Sequence, residues 1–155
     1  MAAAGLRDRL LGTWRLVAME GRRASGARFH PWGTDVRGHL VYDAGGHVAL
    51  QIAKGARARF AAEDLEAGTA AEVQEAFDGY HAWYGRYTLA PDGSAVVHHV
   101  EASLFPNWEG ADQLRWARFE GDFLVLASPP MEYGGEPVEF VTRWAREGPP
   151  STVRH

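Results

Sequence analysis

Three tight turn signals, spread along the chain, most restrict what it can fold into. Asp43-Ala44-Gly45-Gly46, Pro91-Asp92-Gly93 and Gly121-Asp122 each lie between two short runs of β-forming residues. Gly38 to Tyr42 and Val48 to Ile52 flank the first, and Gln113 to Glu120 and Phe123 to Ser128 flank the third. Glycine supplies positive φ in such turns and proline presets a negative one, so each signal reads as a reversal between antiparallel neighbours. Trp14 to Met19 alternates at the start of the chain, and Val138 to Arg146 supplies a last strand. Eighteen glycines and eight prolines in 155 residues fit this turn-rich, all-β pattern.

One segment breaks the pattern. Thr69 is followed three residues later by Glu72, a capping box in which each side chain satisfies a backbone N–H at a helix start. Val73, Ala76, Phe77 and Tyr80 then recur at helical spacing. The spacing predicts an inserted α-helix over about residues 70–83. Leu6 to Leu11 reads as a short helical turn ahead of the first strand, residues 21 to 36 as a loop, and Gly148-Pro149-Pro150 onward as a flexible tail. One domain of residues 1–155 is expected, with an ordered core over about 6–146. About eight strands joined mainly by short turns predict an up-and-down antiparallel β-barrel, which at that size holds one small ligand.

Composition narrows the function classes. A net charge of −4 leaves no basic footprint for nucleic acid. The absence of cysteine removes disulfides, thiolate chemistry and Cys-ligated metals. No apolar run approaches the roughly 18 residues of a membrane-spanning helix, and Arg7, Asp8 and Arg9 interrupt the apolar start. A cytoplasmic protein with no membrane partner is expected, monomeric or homodimeric, with no cofactor and no metal. No Gly-x-Ser-x-Gly elbow, His-Glu-x-x-His helix or phosphate loop is present.

The densest polar group lies in Val96 to Gly110. His98, Val100 and Ala102 share one face of a strand by alternation, and His99, Glu101 and Ser103 share the other. His98 sits among apolar neighbours and is the first candidate for a barrel-facing group; His99 with Glu101 replaces it if the faces are exchanged. Histidine suits such a place because it changes charge near neutral pH. Arg115 shares a face with Gln113, Ala117 and Phe119 and either lies along the outer surface or enters the cavity, where its fork of donors suits a ligand carboxylate, enolate or carbonyl oxygen. Tyr84 and Tyr87 stand three apart, so at most one points inward from a strand; Tyr42 is a weaker candidate of the same kind. Asn107 and Trp108 are expected at the rim. The six tryptophans, Trp32, Trp83 and Trp116 among them, otherwise read as packing.

Leu11-Gly12-Thr13-Trp14-Arg15-Leu16 resembles the Gly-x-Trp opening of lipocalin and calycin barrels. Together with Tyr84-Gly85-Arg86-Tyr87, Val97-His98-His99-Val100-Glu101, Pro106-Asn107-Trp108 and Gln113-Leu114-Arg115, it resembles the bacterial and fungal lipocalin-like domain family from about Leu11 to Arg146. The resemblance implies a closed barrel with first and last strands adjacent. It also implies a basic residue, Arg143 or Arg146, stacked over Trp14 as a structural closure. Two functions follow as expectations. The first is binding of one small apolar or aromatic molecule inside the barrel, oriented by His98, Arg115 and a tyrosine. The second is cofactor-free isomerisation, cyclisation or dehydration of such a molecule, for example in natural-product biosynthesis, with His98, Arg115 and Tyr84 as the catalytic set. A haem barrel of the nitrobindin type shares the Gly-x-Trp start, but its ligating histidine falls near the chain end, where only His155 is available.

Overall fold

The computed structural model describes residues 3–148. The chain runs α1 (Ala3–Leu10), β1 (Gly12–Arg23), β2 (Arg28–Phe29), β3 (Val36–Tyr42), β4 (His47–Lys54), α2 (Ala70–Asp78) and β5 (Tyr80–Leu89). It continues with β6 (Ala95–Ser103), a 3₁₀ turn over Pro106–Trp108, β7 (Asp112–Glu120), β8 (Phe123–Ala127), β9 (Met131–Tyr133) and β10 (Glu136–Arg146). Strands β1, β3, β4, β5, β6, β7, β8 and β10 pair antiparallel in that order, and β1 returns to β10 to close an eight-stranded barrel. β2 and β9 are short additions paired to β1 and β10. Closure leaves no strand of the barrel itself with an unpaired edge.

The two barrel ends differ. The turns at 43–46, 90–94 and 121–122 gather at one end, where α1 buries Leu6 and Leu10. The longer connections, 24–35, 55–79, 104–111 and 128–135, all leave from the other end. The closed end is locked by the signature tryptophan. Trp14 Nε1 donates to Leu10 O at 2.8 Å, fixing the last turn of α1, and the Arg146 guanidinium lies 4.2 Å from the Trp14 ring centroid. Arg146 also donates to the Leu11 and Arg9 carbonyls, so one side chain ties the last strand to the C-terminal end of α1, where unpaired carbonyls need donors. Arg146, then, is the stacked residue; Arg143 lies over Phe123 and pairs with Glu120.

The core follows the alternation of the strands. Trp14, Leu16, Leu40, Tyr42, Val48, Leu50, Ile52, Leu124, Leu126 and Trp144 point inward and form one buried cluster. Burying each of the larger side chains stabilises the fold by about 1.5–3 kcal/mol.

The loop expected over residues 21 to 36 holds the end of β1, the whole of β2 and the start of β3. Two further sequence expectations are corrected. The inserted helix stops at Asp78, not near Trp83: Gly79 is its C-cap, and Tyr80 already begins β5. The capping box at Thr69 and Glu72 is present, but α2 buries no residue; Val73 and Phe77 are 54% and 43% exposed. The helical period ran past the true end because Tyr80 happened to continue it. The second correction concerns β6. Pairing slips between Tyr84 and Gly85, so Gly85 faces Val100 while Tyr84 faces Ala102 and Trp83 faces Ser103. A bulge at Glu101 accounts for the slip, and it flips the faces beyond it. Ser103, not Ala102, therefore shares the inner side with His98. Gly85 makes the bulge possible, since a Cβ there would lie 1.9 Å from His99 O. The tail expected from residue 148 onward lies, beyond Gly148, outside the described residues.

Candidate functional site

The inner face of the barrel carries five polar side chains in one neighbourhood: Tyr42 from β3, His81 from β5, His98 from β6, and Gln113 and Arg115 from β7. Strand register places them. His98 pairs with Gln113 and Val96 with Arg115, so His98 and Arg115 are diagonal neighbours on one face. His81 and Trp83 share the inward side of β5 with Tyr87.

His98 is only 1% exposed. Its Nε2 lies 2.7 Å from Tyr42 Oη, and its Nδ1 has no hydrogen-bond partner. When the Tyr42 O–H donates to Nε2, Nδ1 carries the proton and becomes an unpaired donor aimed into the interior; the other tautomer makes it an unpaired acceptor. Trp83 packs against the imidazole with ring centroids 4.8 Å apart, and Tyr42 meets Tyr87 edge-on at 4.9 Å. His81 Nε2 is likewise buried without a partner, beneath Trp108, whose ring stands edge-to-face at 4.6 Å. Unpaired buried polar atoms are scarce in folded proteins, and two imidazole nitrogens inside one barrel mark a place where hydrogen-bonding capacity is in reserve.

Arg115 supplies the charge. Its Nη1 donates to Leu114 O and its Nη2 to Gln113 Oε1, both at 2.8 Å, with Met131 Sδ at 3.8 Å. Among the described residues no carboxylate pairs with it. Burial draws its guanidinium down to about 10, with the Tyr42 hydroxyl opposing. Burial and then Arg115 draw His98 down to about 3 and His81 to about 4, so both imidazoles are neutral at neutral pH. Burial raises the Tyr42 hydroxyl far above its ordinary range. The interior thus holds one fixed positive charge surrounded by neutral donors and acceptors. The idea that His98 titrates near neutral pH is corrected by its burial beside a cation.

The remaining sequence candidates divide clearly. Tyr84 is a correction: it stands on the outer face and is 54% exposed, because inward places on β5 fall to His81, Trp83, Gly85 and Tyr87. Tyr87 is buried, but its hydroxyl donates to Asp43 O at 2.8 Å in the closed-end turn. Asn107 is exposed in the 3₁₀ turn, whereas Trp108 is half-buried over His81 at the long-loop end. His99 and Glu101 do not pair: His99 Nδ1 meets Asp112 Oδ1 at 2.7 Å, and Glu101 faces Arg86 at 3.7 Å, all on the outer side. His155 lies outside the described residues. Two hollows, of about 410 Å³ between α2 and residues 54–58 and about 880 Å³ at the closed end beside Phe119 and Phe123, involve none of the five polar side chains.

Sequence reading missed His81 and gave Gln113 no role of its own. Both were readable. Gly79 is a helix stop, and ending α2 there puts His81 in the inward period with Trp83 and Tyr87.

One curated relative and one family model match the chain. A 4'-hydroxy-3'-methoxypropiophenone carrier protein, ppsC, of Aspergillus oryzae (strain ATCC 42149 / RIB 40) is 30% identical over 103 residues, 61% of this chain and 93% of that protein. The lipocalin-like domain matches residues 11–147, from the helix–strand junction before Trp14 to the end of the closing strand. With its closed eight-stranded barrel and the match running through nearly every strand, the chain belongs to the lipocalin-like domain family.

Proposed function

We propose that this protein binds one small aromatic molecule bearing a polar oxygen inside its barrel, and acts as a carrier. The observation that carries the reading is the half-buried Arg115, which has no carboxylate partner among the described residues, beside the unpaired His98 Nδ1. A buried charge and an unpaired polar atom each cost stability, and a ligand oxygen would relieve both. Trp83 packs against His98 and Trp108 against His81, aromatic surroundings that suit a ring. The named ligand of the Aspergillus relative, an aryl ketone with a phenolic hydroxyl, has the expected chemistry.

Binding is favoured over catalysis by the state of the histidines. A general base works best when its pKa lies near the working pH, and His98 is drawn down to about 3. With Tyr84 on the outer face, the catalytic set expected from sequence also loses its third member.

The test is a titration of the purified protein with 4'-hydroxy-3'-methoxypropiophenone and a panel of simpler aryl ketones and phenols. It is followed by tryptophan fluorescence and native mass spectrometry. One-to-one complexes that weaken in both Arg115→Met and His98→Phe are expected. Binding unchanged in both variants would place the ligand elsewhere and sink the reading. Conversion of a bound compound to a new mass would replace the carrier with an enzyme.

A further inference from the structure

Resting on that binding reading, we propose that the barrel selects ligands whose aromatic hydroxyl is acidified by a conjugated carbonyl, and holds them as the phenolate facing Arg115 and His98. The argument is one of charge. Among the described residues the buried core cluster of the barrel is aliphatic and aromatic, the polar side chains that face it are Tyr42, His81, His98, Gln113 and Arg115, and no carboxylate pairs with Arg115. The titratable groups coupled to Arg115 are Tyr42 from β3, His81 from β5 and His98 from β6; its side-chain hydrogen-bond partners, Gln113 on its own strand and Met131 from β9, are neutral. None of them supplies a negative charge at neutral pH. An anion entering this interior would meet a half-buried guanidinium with no carboxylate beside it among the described residues, a setting that favours the charged form of the ligand.

The geometry also favours a single oxygen. Arg115 Nη1 and Nη2 are already bonded to Leu114 O and Gln113 Oε1, so its two-pronged face, the usual seat of a carboxylate, is partly occupied. His98 adds one more donor when Tyr42 donates to Nε2, because the proton then sits on Nδ1. A charge plus one added donor matches one phenolate oxygen, and the neighbouring indole of Trp83 matches the ring.

The proton balance is simple. On binding, the O–H bond of the phenol breaks heterolytically, its electron pair stays on the ligand oxygen, and the proton passes to the buffer. No bond to carbon changes, so the ligand is released intact.

The probe is 4'-hydroxy-3'-methoxypropiophenone, added to the whole protein at a pH well below its own measured pKa in the same buffer. Absorbance reads the ionisation state, since the phenolate of an acylphenol absorbs at longer wavelength than the phenol. Tryptophan quenching and native mass spectrometry independently read binding. We expect quenching together with the phenolate band, loss of that band in Arg115→Met and its retention in Arg115→Lys. The 4'-O-methyl ether of the probe should bind roughly tenfold more weakly or worse. Quenching with only the neutral phenol spectrum overturns this inference while leaving the carrier reading intact. An equal affinity for the methyl ether overturns it too. No quenching and no complex overturns the carrier reading, and this inference with it.

Discussion

Removing the half-buried charge of Arg115 should make the empty protein more stable. Burial draws the Arg115 guanidinium from its ordinary value down to about 10. At about 1.4 kcal/mol for each pH unit, holding the guanidinium charged inside the barrel costs about 3 kcal/mol. The cost applies in full at every pH below about 10, where the guanidinium is charged in both folded and unfolded chains. It fades only as pH rises toward the unfolded value. Methionine fills a similar space with no charge. Arg115→Met therefore removes that cost and loses the bonds to Leu114 O and Gln113 Oε1, worth about 1 kcal/mol each. The expected net gain is about 1 kcal/mol, or about 3 °C in Tm for a chain of this length. Thermal unfolding of the ligand-free protein at neutral pH, followed by circular dichroism, measures it directly. A fall in Tm of several degrees would mean that Arg115 is a structural group satisfied by its neighbours, and the argument that its charge is held for a ligand would fail. The same variant should bind ligand poorly, so stability and binding are expected to move in opposite directions, as they do where a site is built at the expense of the fold.

Other perturbations probe the frame around the site. Gly85→Ala would place a Cβ 1.9 Å from His99 O, so the bulge in β6 must move; a loss of about 2–3 kcal/mol in urea unfolding is expected, and an unchanged midpoint would show that the bulge is soft. Arg146→Ala removes the stack on Trp14 and the bonds to the α1 carbonyls. About 1 kcal/mol should be lost, with faster amide exchange confined to α1. Uniform exchange across the barrel would contradict the locking role. Acid should also destabilise the fold. His98 and His81 are drawn down to about 3 and about 4, so the unfolded chain takes up protons from pH 6.5 downward that the native barrel refuses. Each histidine contributes a slope of up to about 1.4 kcal/mol per pH unit in that range. Urea midpoints should therefore fall between pH 6.5 and 4, less steeply in His81→Phe; parallel curves for the two proteins would refute the assignment.

What the amino-acid sequence determined by itself was local. Turn chemistry at residues 43–46, 91–93 and 121–122 set the reversals, and two-residue alternation set which residues share a face with Arg115 on β7 and with His98 in the first half of β6, while the choice of the inward face was left to the closed barrel. The capping box marked where α2 begins, because a cap is written in the residues that make it. Such features depend on neighbours a few positions away and so are visible in one dimension. Other features were decided by tertiary structure. The flip of Ala102 and Ser103 comes from a bulge that exists only because Gly85, on another strand, lets the backbone of β6 approach. Tyr84 lost its inward place to His81 and Trp83 because the start of β5 depends on where α2 ends against the barrel. His98 lost its titration near neutral pH because the barrel buries it and, secondarily, because Arg115, seventeen residues on, is folded beside it. Charge, burial and unpaired atoms are properties of the closed barrel, since only closure brings β3, β5, β6 and β7 to face one another and removes the water that would otherwise satisfy them.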